Sequence, residues 1–516
     1  MCHNYSGRSS FFMMQEWFKL KQYPHIDLPI EHKGVSALAK YVTSADAIAK
    51  HAFLPLIRRQ NKTYRFKDNG SGRKQRIKKI RNITYASHVD SVIYSYYAYK
   101  LQKSLEKYLY EHNLNDEVCA YRKIRVHEGS GNKCNIHIAK EVFDFIREKT
   151  DSGEDVAVIT YDIKGFFDNL DHKIIKDKWK QIIGVDTLPR DVYAVYKGIT
   201  RYAYVMEKDI FDLFKDEIIC KQPTKKVKRK VKRFAYLRDK KAIAFCNKDI
   251  STIRAKGLIR TRGEQENRGI PQGLPISAVI ANVYMCDFDN EIANSIRMVG
   301  GLYRRYSDDI IIVCPINQGK RWKNDVIEKI KSVKLEIEDS KTNLFTFVRQ
   351  ENGDVICSHE KKGTNKKLEY LGFSFDGKRV FLKEASVGKF YTKMDRHIKR
   401  SLGKAIHMNN DTYGKIFENQ LIRRFSYAGA KIHLIRKRCK SNHSKFYVIK
   451  GFHTYGNYLT YVRKSADIMK EPSIRMQLRR VSSLLRKKMR IAQNKANIIT
   501  DRKLITEYMK YGHTYH

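Results

Sequence analysis

The sequence YRRYSDDIIIV, residues 303–313, sets two adjacent carboxylates, Asp308 and Asp309, between two segments that are suited to β-strands. The pattern predicts a strand on each side and a turn at the acidic pair. Adjacent carboxylates repel each other unless a cation neutralises them, so this turn is a candidate metal site. Taken alone, however, an Asp-Asp pair between apolar runs is most often an ordinary hairpin turn.

A second carboxylate in the same kind of setting changes that interpretation. Residues 156–161, VAVITY, have the apolar character of a buried strand, and Asp162 follows directly. Two strands that each end in an aspartate can share two divalent cations, as two-metal nucleotidyl transfer requires. Mg²⁺ suits oxygen ligands and substrate phosphates, with Mn²⁺ as the alternative. We therefore predict Asp162 and Asp308 as the principal metal ligands and catalytic residues, with Asp309 as a supporting carboxylate.

An ordered set of motifs around these carboxylates resembles the reverse transcriptases of the group II intron, retron and bacterial-defence branches. Residues 162–172 (DIKGFFDNLDH), 269–277 (GIPQGLPIS) and 306–309 (YSDD) resemble the first three palm motifs of that family. Residues 335–342 (LEIEDSKT) resemble the fourth, and residues 370–373 (YLGF) resemble the primer-grip hairpin. Five motifs in the right order are far more specific than any one of them.

The resemblance implies an α+β fold of the right-hand polymerase type, with fingers, palm and thumb and a helical basic C-terminal extension. We expect three parts along the chain. They are an N-terminal helical extension (residues 1–85), fingers and palm (86–385, with a basic insertion at about 205–260), and a thumb with a helical C-terminal module (386–516).

The resemblance also implies roles for individual side chains in nucleotide binding. The Phe167 ring would lie beneath the sugar of the incoming nucleotide and exclude a 2′-hydroxyl, whereas Phe166 is interpreted as a core residue. Gln272 would pack near the nascent base pair, in a turn whose glycines let the backbone approach a ligand closely. Lys341 would lie near the triphosphate, where a cation offsets developing negative charge.

Two further segments resemble nucleotide-binding and nucleic-acid-binding elements of the family. Tyr121-Arg122-Lys123 resembles a fingers strand whose basic side chains contact the nucleotide phosphates, which makes Arg122 and Lys123 candidates. Arg122 is preferred because a guanidinium can bind phosphate oxygens bidentately. Gly372, in the segment that resembles the primer grip, is a candidate nucleic-acid contact.

The charge of the chain indicates a nucleic-acid partner. The sequence has 102 Lys and Arg against 55 Asp and Glu, a formal net charge of +47. No apolar stretch of about 18 residues is present, so a membrane partner is not indicated. Nine cysteines without a Cys-x-x-Cys pair indicate neither a zinc ribbon nor a disulfide framework. We expect a cytoplasmic location.

One unusually basic run lies between the first and second palm motifs, in a segment that is long for the family. Residues 225–233, KKVKRKVKR, alternate valine with cations and could form a basic β-ribbon, a mobile arm or simply a solvated loop. Dense like charges repel unless an anion lies across them, so we favour RNA binding. The candidate nucleic-acid contacts are Lys225, Lys226, Lys228, Arg229 and Lys230.

Together these features predict an RNA-directed DNA polymerase that makes cDNA from deoxynucleoside triphosphates. The segment 456–462 resembles the defence-associated group, which implies a dedicated structured noncoding RNA template and a role in bacterial antiviral defence. Two alternatives stay open, a group II intron maturase and a catalytically silent RNA-binding scaffold. The sequence leaves open the template and product sequences, the priming mechanism, the trigger and the oligomeric state. A homo-oligomer is compatible with it.

Overall fold

The structure is a computed structural model that describes residues 16–31, 34–68, 74–127, 130–222, 225–238, 242–261, 267–407, 414–428, 432–438, 446–454 and 456–511. The chain forms two compact units. The first comprises Met1–Arg122 and Ile159–Leu344, and the second comprises Lys123–Val158 and Phe345–His516. Each unit is therefore assembled from two separate parts of the sequence, unlike the predicted division at residues 85 and 385.

The helices and strands of the described residues follow in chain order. The helices are α1 (Val35–Thr43), α2 (Ala45–Ala49), α3 (His88–Glu111), α4 (Asn135–Asp151), α5 (Phe166–Asn169), α6 (His172–Ile183), α7 (Arg190–Thr200), α8 (Glu207–Phe214), α9 (Ile250–Ala255), α10 (Ser277–Tyr284), α11 (Cys286–Met298), α12 (Gly319–Ser332), α13 (Glu384–His407), α14 (Glu418–Phe425), α15 (Tyr458–Met469), α16 (Pro472–Met476) and α17 (Val481–Tyr511). The strands are β1 (Leu56–Asp68), β2 (Lys74–Tyr85), β3 (Val156–Asp162), β4 (Ala203–Met206), β5 (Ile218–Lys221), β6 (Lys226–Arg229), β7 (Ala242–Ala244), β8 (Arg260–Thr261), β9 (Leu302–Tyr306), β10 (Asp309–Pro315), β11 (Asn343–Arg349), β12 (Val355–His359), β13 (Leu368–Tyr370), β14 (Phe373–Phe375), β15 (Val380–Leu382), β16 (Ile432–Arg438) and β17 (Phe446–Thr454).

A long antiparallel hairpin, β1 with β2, corrects the expectation that residues 1–85 form a helical extension. The two strands pair from Ile57 with Tyr85 to Asp68 with Lys74. Only α1 and α2 precede the hairpin among the residues described in this part of the chain. The helical prediction was wrong here because charged residues occupy both faces of the hairpin and hide the alternation that identifies a strand.

The segment between the first two palm motifs builds onto this hairpin within the first unit. Strand β4 pairs with β1 in parallel, which gives a four-stranded sheet of order β2-β1-β4-β8. A second, three-stranded sheet has the order β6-β5-β7. An apolar core packs between these elements and includes Ile57, Val205, Phe211 and Phe245. The predicted insertion is therefore a folded part of the first unit.

The predicted strands around the two acidic motifs are confirmed. Strands β9 and β10 form a tight hairpin in which Tyr306 pairs with Asp309, and Ser307 with Asp308 makes the turn. Strand β3 lies beside β10 and ends at Asp162. Ile310 to Val313 are buried, as is most of β3. The apolar runs thus form the core of the sheet and place the polar residues at strand ends.

In the first unit, helix α11 packs against β9, and α10 packs against α3 and α11. Ser87 caps α3 by accepting a hydrogen bond from the Asp90 N–H at 3.1 Å. The apolar and tyrosine side chains along α3 are largely buried, including Tyr94 and Tyr97. Helix α10 is almost entirely buried. These helices form the support for the strand ends that carry the carboxylates.

The second unit combines helices with small antiparallel sheets. The ladders β11–β12 and β13–β14–β15 precede α13, and α14 to α17 follow. Helices α13 to α17 lie in the segment from residue 384 onward, and the hairpin of β16 and β17 interrupts them. No described helix is both long enough and apolar enough to span a bilayer.

We predict that Gly301→Ala destabilises the fold, because this glycine begins the segment that leads into β9. A Cβ at position 301 would lie 2.4 Å from the Val313 carbonyl oxygen, so backbone must move. The expected cost is about 1–3 kcal/mol of unfolding free energy, the usual cost of overpacking. Gly403→Ala is the control, since nothing lies within 4 Å of its Cβ position. Equal urea unfolding midpoints for the two variants would contradict the prediction.

Candidate active site

Two strand ends meet at the predicted carboxylates. Asp162 ends β3, and the next residue, Ile163, donates its backbone N–H to the Asp308 carbonyl oxygen at 3.1 Å. This bond joins the turn of the β9–β10 hairpin to the end of β3. Of the two aspartates that the sequence predicts as principal ligands, Asp162 therefore lies at the end of β3 and Asp308 in the turn that is bonded to that end.

The segment that resembles the fourth palm motif lies against the same strand end. Lys164 N–H donates to the Glu336 carbonyl at 2.9 Å, and Glu338 N–H donates to the Asp162 carbonyl at 2.8 Å. This pairing brings the Lys341 side chain to Asp162, where its ammonium forms an ion pair with the carboxylate. The structure thus places Lys341 at the acidic strand ends, next to a predicted metal ligand.

The carboxylate oxygens of this site are the type of ligand that hard cations prefer. Asp162 and Asp308 offer carboxylate oxygens, which Mg²⁺ prefers, and the Lys341 ammonium already places one positive charge on Asp162. Asp309 is exposed at the start of β10. In the described part of the chain, no cluster of three or more His, Cys, Asp or Glu side chains has a geometry suited to a metal ion. The three aspartate side chains therefore do not form a preassembled metal cage.

A buried ion pair lies directly beneath the turn. Arg305 and Asp289 are both fully buried, and the guanidinium donates two hydrogen bonds to the carboxylate at 2.7 and 2.6 Å. The same carboxylate accepts a hydrogen bond from the Tyr303 hydroxyl at 2.7 Å. Burial alone would lower the pKa of Arg305, but the charge of Asp289 raises it above its ordinary value. The pair therefore stays ionised.

The same guanidinium holds the backbone of the catalytic turn. Arg305 donates from Nη1 to the Ser307 carbonyl oxygen and to Oδ1 of Asn282, each at 3.2 Å. Asn282 in turn donates to the Ala120 carbonyl at 2.9 Å. Ser307 has a φ of 64°, which a non-glycine residue adopts only when its surroundings hold it. The hydrogen bonds around Arg305 supply that support.

Tyr121 contacts the turn from the other side. Its hydroxyl lies 3.0 Å from the Ser307 hydroxyl, and half of the Tyr121 residue surface is exposed. Its backbone φ is 63°, again in the left-handed region. Sequence reasoning missed Tyr121, Arg305 and Asp289 as contributors to the site. The alternation of β9 could have identified Arg305, since it shares a strand face with the buried Tyr303.

The residues that resemble the second palm motif pack against the hairpin of β1 and β2. The Gln272 carbonyl accepts hydrogen bonds from the Thr84 N–H at 2.8 Å and from the Thr84 hydroxyl at 3.2 Å. Gly273 has a φ of 121°, and a Cβ there would lie 2.5 Å from the Thr84 carbonyl oxygen. Glycine at this position is therefore required by the close approach of the two backbones.

The two phenylalanines of the first palm motif differ in burial, as predicted. Phe166 is 4% exposed and belongs to the core. Phe167 is partly exposed, and its carbonyl accepts a hydrogen bond from the Ile270 N–H at 2.8 Å. Phe167 thus lies next to the loop that contains Gln272, which is compatible with the predicted nucleotide contact.

The side chain of Arg122 is not placed for the predicted contact with the nucleotide phosphates. Its side chain is 2% exposed, and the guanidinium forms an ion pair with Glu106 at 2.5 Å. It also donates to the Asn115 and Val118 carbonyls, each at 2.7 Å. This placement corrects the choice of Arg122, because its donors already hold the chain together. Lys123, in the second unit, is exposed.

The basic run at residues 225–233 forms a strand whose lysines are paired with carboxylates. Strand β6 (Lys226–Arg229) pairs with β5, so this part of the run adopts the β-ribbon, one of the three alternatives that the sequence left open. Lys226 pairs with Glu31 and Lys230 with Asp216, both at 2.7 Å, and Lys228 pairs with Glu217. Hydrogen bonding from Lys230 lowers the pKa of Asp216. Carboxylates of the chain itself thus supply part of the counter-charge that was expected from RNA.

Gly372 lies at the turn of a small hairpin in the second unit. It has a φ of 94°, and it connects β13 with β14. Its carbonyl accepts a hydrogen bond from the Lys383 N–H at 3.0 Å. The hairpin predicted from residues 370–373 is therefore present, and its left-handed turn explains the glycine.

Comparison with known families identifies all five motifs as parts of one domain. Residues 72–375, more than half of the chain, match the model of the family described as reverse transcriptase (RNA-dependent DNA polymerase). The match includes both acidic strand ends and the loop at Gln272. No curated protein sequence matches this chain.

Solved telomerase structures are similar to this chain at low sequence identity. Apo telomerase from Candida tropicalis, truncated from the C-terminal domain, is 10% identical, with 70% of this chain and 63% of that chain covered and a TM-score of 0.34. Another apo telomerase structure from Candida tropicalis is 10% identical, with 91% and 67% covered and a TM-score of 0.35. Telomerase from Candida albicans with a TWJ fragment of telomeric RNA is 11% identical, with 79% and 62% covered and a TM-score of 0.33. This chain thus spans about two thirds of the length of these proteins.

We predict that Arg305→Met costs about 3–5 kcal/mol of unfolding free energy, because it leaves Asp289 buried without its counter-charge. Replacing the whole polar group, in the triple variant Arg305→Met, Asp289→Leu, Tyr303→Phe, should recover most of that loss. Urea unfolding followed by circular dichroism measures both effects.

The matched control for this prediction is Arg297→Met, which removes a more exposed ion pair with Glu117. Its expected cost is within about 1 kcal/mol, as for other exposed pairs. A single Arg305 variant as stable as the Arg297 variant would show that the buried pair does not support the fold.

Proposed function

The chain belongs to the reverse transcriptase family, and we propose that it is an RNA-directed DNA polymerase that makes cDNA by nucleotidyl transfer. The observation that carries this proposal is the hydrogen bond from Ile163 N–H to the Asp308 carbonyl, which joins the end of β3 at Asp162 to the turn that contains Asp308. Carboxylates from neighbouring strand ends are what such a transfer needs to hold its cations. The family match supplies the reaction class.

Reverse transcriptase domains generally use divalent metal ions, typically Mg²⁺. Asp162 and Asp308 would hold two such ions, with Asp309 as the supporting carboxylate and Mn²⁺ as an alternative metal. When bound, the ions would activate the attacking hydroxyl and stabilise the leaving oxygen. Lys341, now on the Asp162 carboxylate, would turn to the triphosphate when cations neutralise that aspartate.

The remaining residues of the site would select and orient the nucleotide. Phe167 would exclude a 2′-hydroxyl, which makes deoxynucleoside triphosphates the substrates. Gln272 would contact the nascent base pair, held in place by its backbone bond to Thr84. Lys123 stays the exposed candidate for a phosphate contact in its segment, whereas Arg122 holds the local structure. Gly372 would form part of a primer-contacting hairpin.

The template we propose is a dedicated structured noncoding RNA, and the biological role is bacterial antiviral defence from the cytoplasm. The net charge of +47 supports a nucleic-acid partner. The likeness of residues 456–462 to defence-associated reverse transcriptases supports that branch over a maturase. Lys225 and Arg229 would contact RNA, and Lys226, Lys228 and Lys230 would join them by exchanging their carboxylate partners for phosphates.

We predict that Asp162→Asn and Asp308→Asn each lower DNA synthesis at least about a thousandfold, since several kcal/mol of charge stabilisation would be lost. The assay is primer extension on an RNA template with deoxynucleotides and Mg²⁺. Asp186→Asn, an exposed carboxylate away from the strand ends, is the control and should retain full activity. A fully active Asp308→Asn variant would refute the proposed polymerase.

The same assay separates the alternatives. Activity that depends on Asp308, together with a structured RNA that copurifies with the protein, supports the proposed function. Splicing of a cognate intron would identify a maturase instead. Absence of incorporation by the wild-type protein under varied metals and templates would favour the RNA-binding scaffold.

We also predict a kinetic effect for the triple variant that replaces Arg305, Asp289 and Tyr303 by apolar residues. It should remain folded, yet the Ser307 carbonyl would lose its donor and the turn would lose its fixed position. We expect kcat to fall at least about tenfold while the KM for deoxynucleotide changes less, because a positioning defect acts on the transition state. An unchanged kcat would show that the pair has a purely structural role.

A further inference from the structure

A cavity of about 400 Å³ lies in the first unit between the sheet of β1, β2 and β4 and the loop of Gln272. This volume falls in the range of ligand-binding pockets, about 300–1,000 Å³. Its walls combine two tyrosines, one guanidinium, one carboxylate and several neutral hydrogen-bonding groups. The lining includes Arg58, Asn82, Asp168, Tyr202, Tyr204 and Gln272.

Arg58 is positioned for a ligand by two aromatic residues. Its guanidinium lies over the Tyr204 ring, 3.4 Å from the ring centroid, and Nη2 donates to the Tyr202 hydroxyl at 3.1 Å. The Nε–H of Arg58 is buried and has no hydrogen-bond partner. Such a donor costs about 1–3 kcal/mol unless something accepts from it. A ligand with an acceptor atom would remove that cost.

The lining chemistry matches a nucleobase and favours guanine. Tyrosine and arginine planes stack on bases, and this stacking contributes about 1–3 kcal/mol per base. Guanine presents O6 and N7 as paired acceptors for an arginine, and its N1–H and N2 amino groups donate to a carboxylate, which can only accept. Arg58 and Asp168 line the same cavity and supply these two complementary groups.

The hairpin of β1 and β2 extends the cavity wall as an exposed basic face. Residues paired across the two strands share a face. The pair of Arg58 and Thr84 lines the cavity, and the next pairs on the same face continue toward the tip of the hairpin. These pairs are Gln60 with Asn82, Lys62 with Ile80, and Tyr64 with Lys78. Tyr64 is 50% exposed and Ile80 43%, and both lysines are exposed. Cations interleaved with flat or apolar side chains are typical of single-stranded nucleic-acid binding.

We propose that the cavity binds one unpaired guanine of the RNA template, and that this hairpin face carries the adjacent nucleotides of the same strand. The inference rests on the proposed function for the identity of the strand as a template. A free guanine nucleotide has the same base chemistry, but it would make no use of the basic face beyond the cavity. The continuity of cavity and face therefore favours the strand.

The test is a binding measurement with fluorescein-labelled primer–template duplexes that differ only in the single-stranded RNA overhang. One guanine is moved through an otherwise uridine overhang, and fluorescence anisotropy gives the Kd at each position. We expect one position at which guanine tightens binding about tenfold, and a loss of that gain with 7-deazaguanine, which lacks the N7 acceptor. Uniform binding at all positions would overturn the proposal.

Variants connect that preference to the cavity. Arg58→Gln and Tyr204→Ala should each abolish the guanine preference, and Asp168→Asn, at an exposed position, should weaken it without affecting folding. The matched control is Arg81→Gln, which removes a charge from the opposite face of the same hairpin and should retain the preference. A preference that survives all three cavity variants would place the guanine elsewhere.

Two further measurements distinguish a free nucleotide from a template strand and separate binding from catalysis. Guanosine monophosphate that binds in an Arg58-dependent manner, with no positional preference in the overhang, would assign the cavity to a free nucleotide and overturn the strand proposal. Primer extension on the all-uridine overhang reports the polymerase separately. If the wild-type protein extends the primer normally but shows no guanine preference, the cavity proposal alone is refuted. If it shows a positional guanine preference but no extension, the cavity proposal is supported and the polymerase proposal is refuted.

Discussion

The catalytic turn depends on one buried ion pair, Arg305 with Asp289. Two charges removed from water are unfavourable unless each meets its full set of partners, and here Tyr303 and Asn282 complete the set. The guanidinium also donates a hydrogen bond to the Ser307 carbonyl. Because the turn has a left-handed residue at Ser307, this bond helps to hold a conformation that the isolated sequence would seldom adopt. The strand end at Asp162 is aligned with the turn by the backbone bond from Ile163 to Asp308.

Much of this region could be predicted because short-range signals agree there. The apolar runs of β3 and β10 specify buried strands, and the aspartates that follow or precede them mark the exposed ends. The glycines of the Gln272 loop and of the hairpin at Gly372 mark positions where the backbone is left-handed or closely approached. In each case the residue type and its local pattern contain the structural information, so no long-range contact had to be known.

Where the sequence was misleading, a partner that the local sequence pattern does not reveal determined the result. Arg122 has the appearance of an exposed cation, but Glu106 and two carbonyl groups from the end of α3 onward bury its guanidinium. The lysines of β6 suggested an open RNA site, but Glu31, Asp216 and Glu217 lie across from them. Strands β1 and β2 lack an apolar alternation because neither face of their outer part is buried. Such pairings form only in the folded chain, or involve strands without a core, and neither leaves a periodic signal in the sequence.

The base of the β1–β2 hairpin shows how the long segment between the first two palm motifs affects the site. On one face, Glu207 is buried beneath Arg59 and accepts a hydrogen bond from Tyr85, while Ile57 joins the apolar core of that segment. On the other face, β4 adds Tyr204 beside Arg58. Because adjacent residues of a strand point to opposite faces, packing of the first face fixes the orientation of the second. The segment therefore anchors the hairpin with one set of side chains and, by the same pairing, contributes aromatic residues to the wall that faces Gln272.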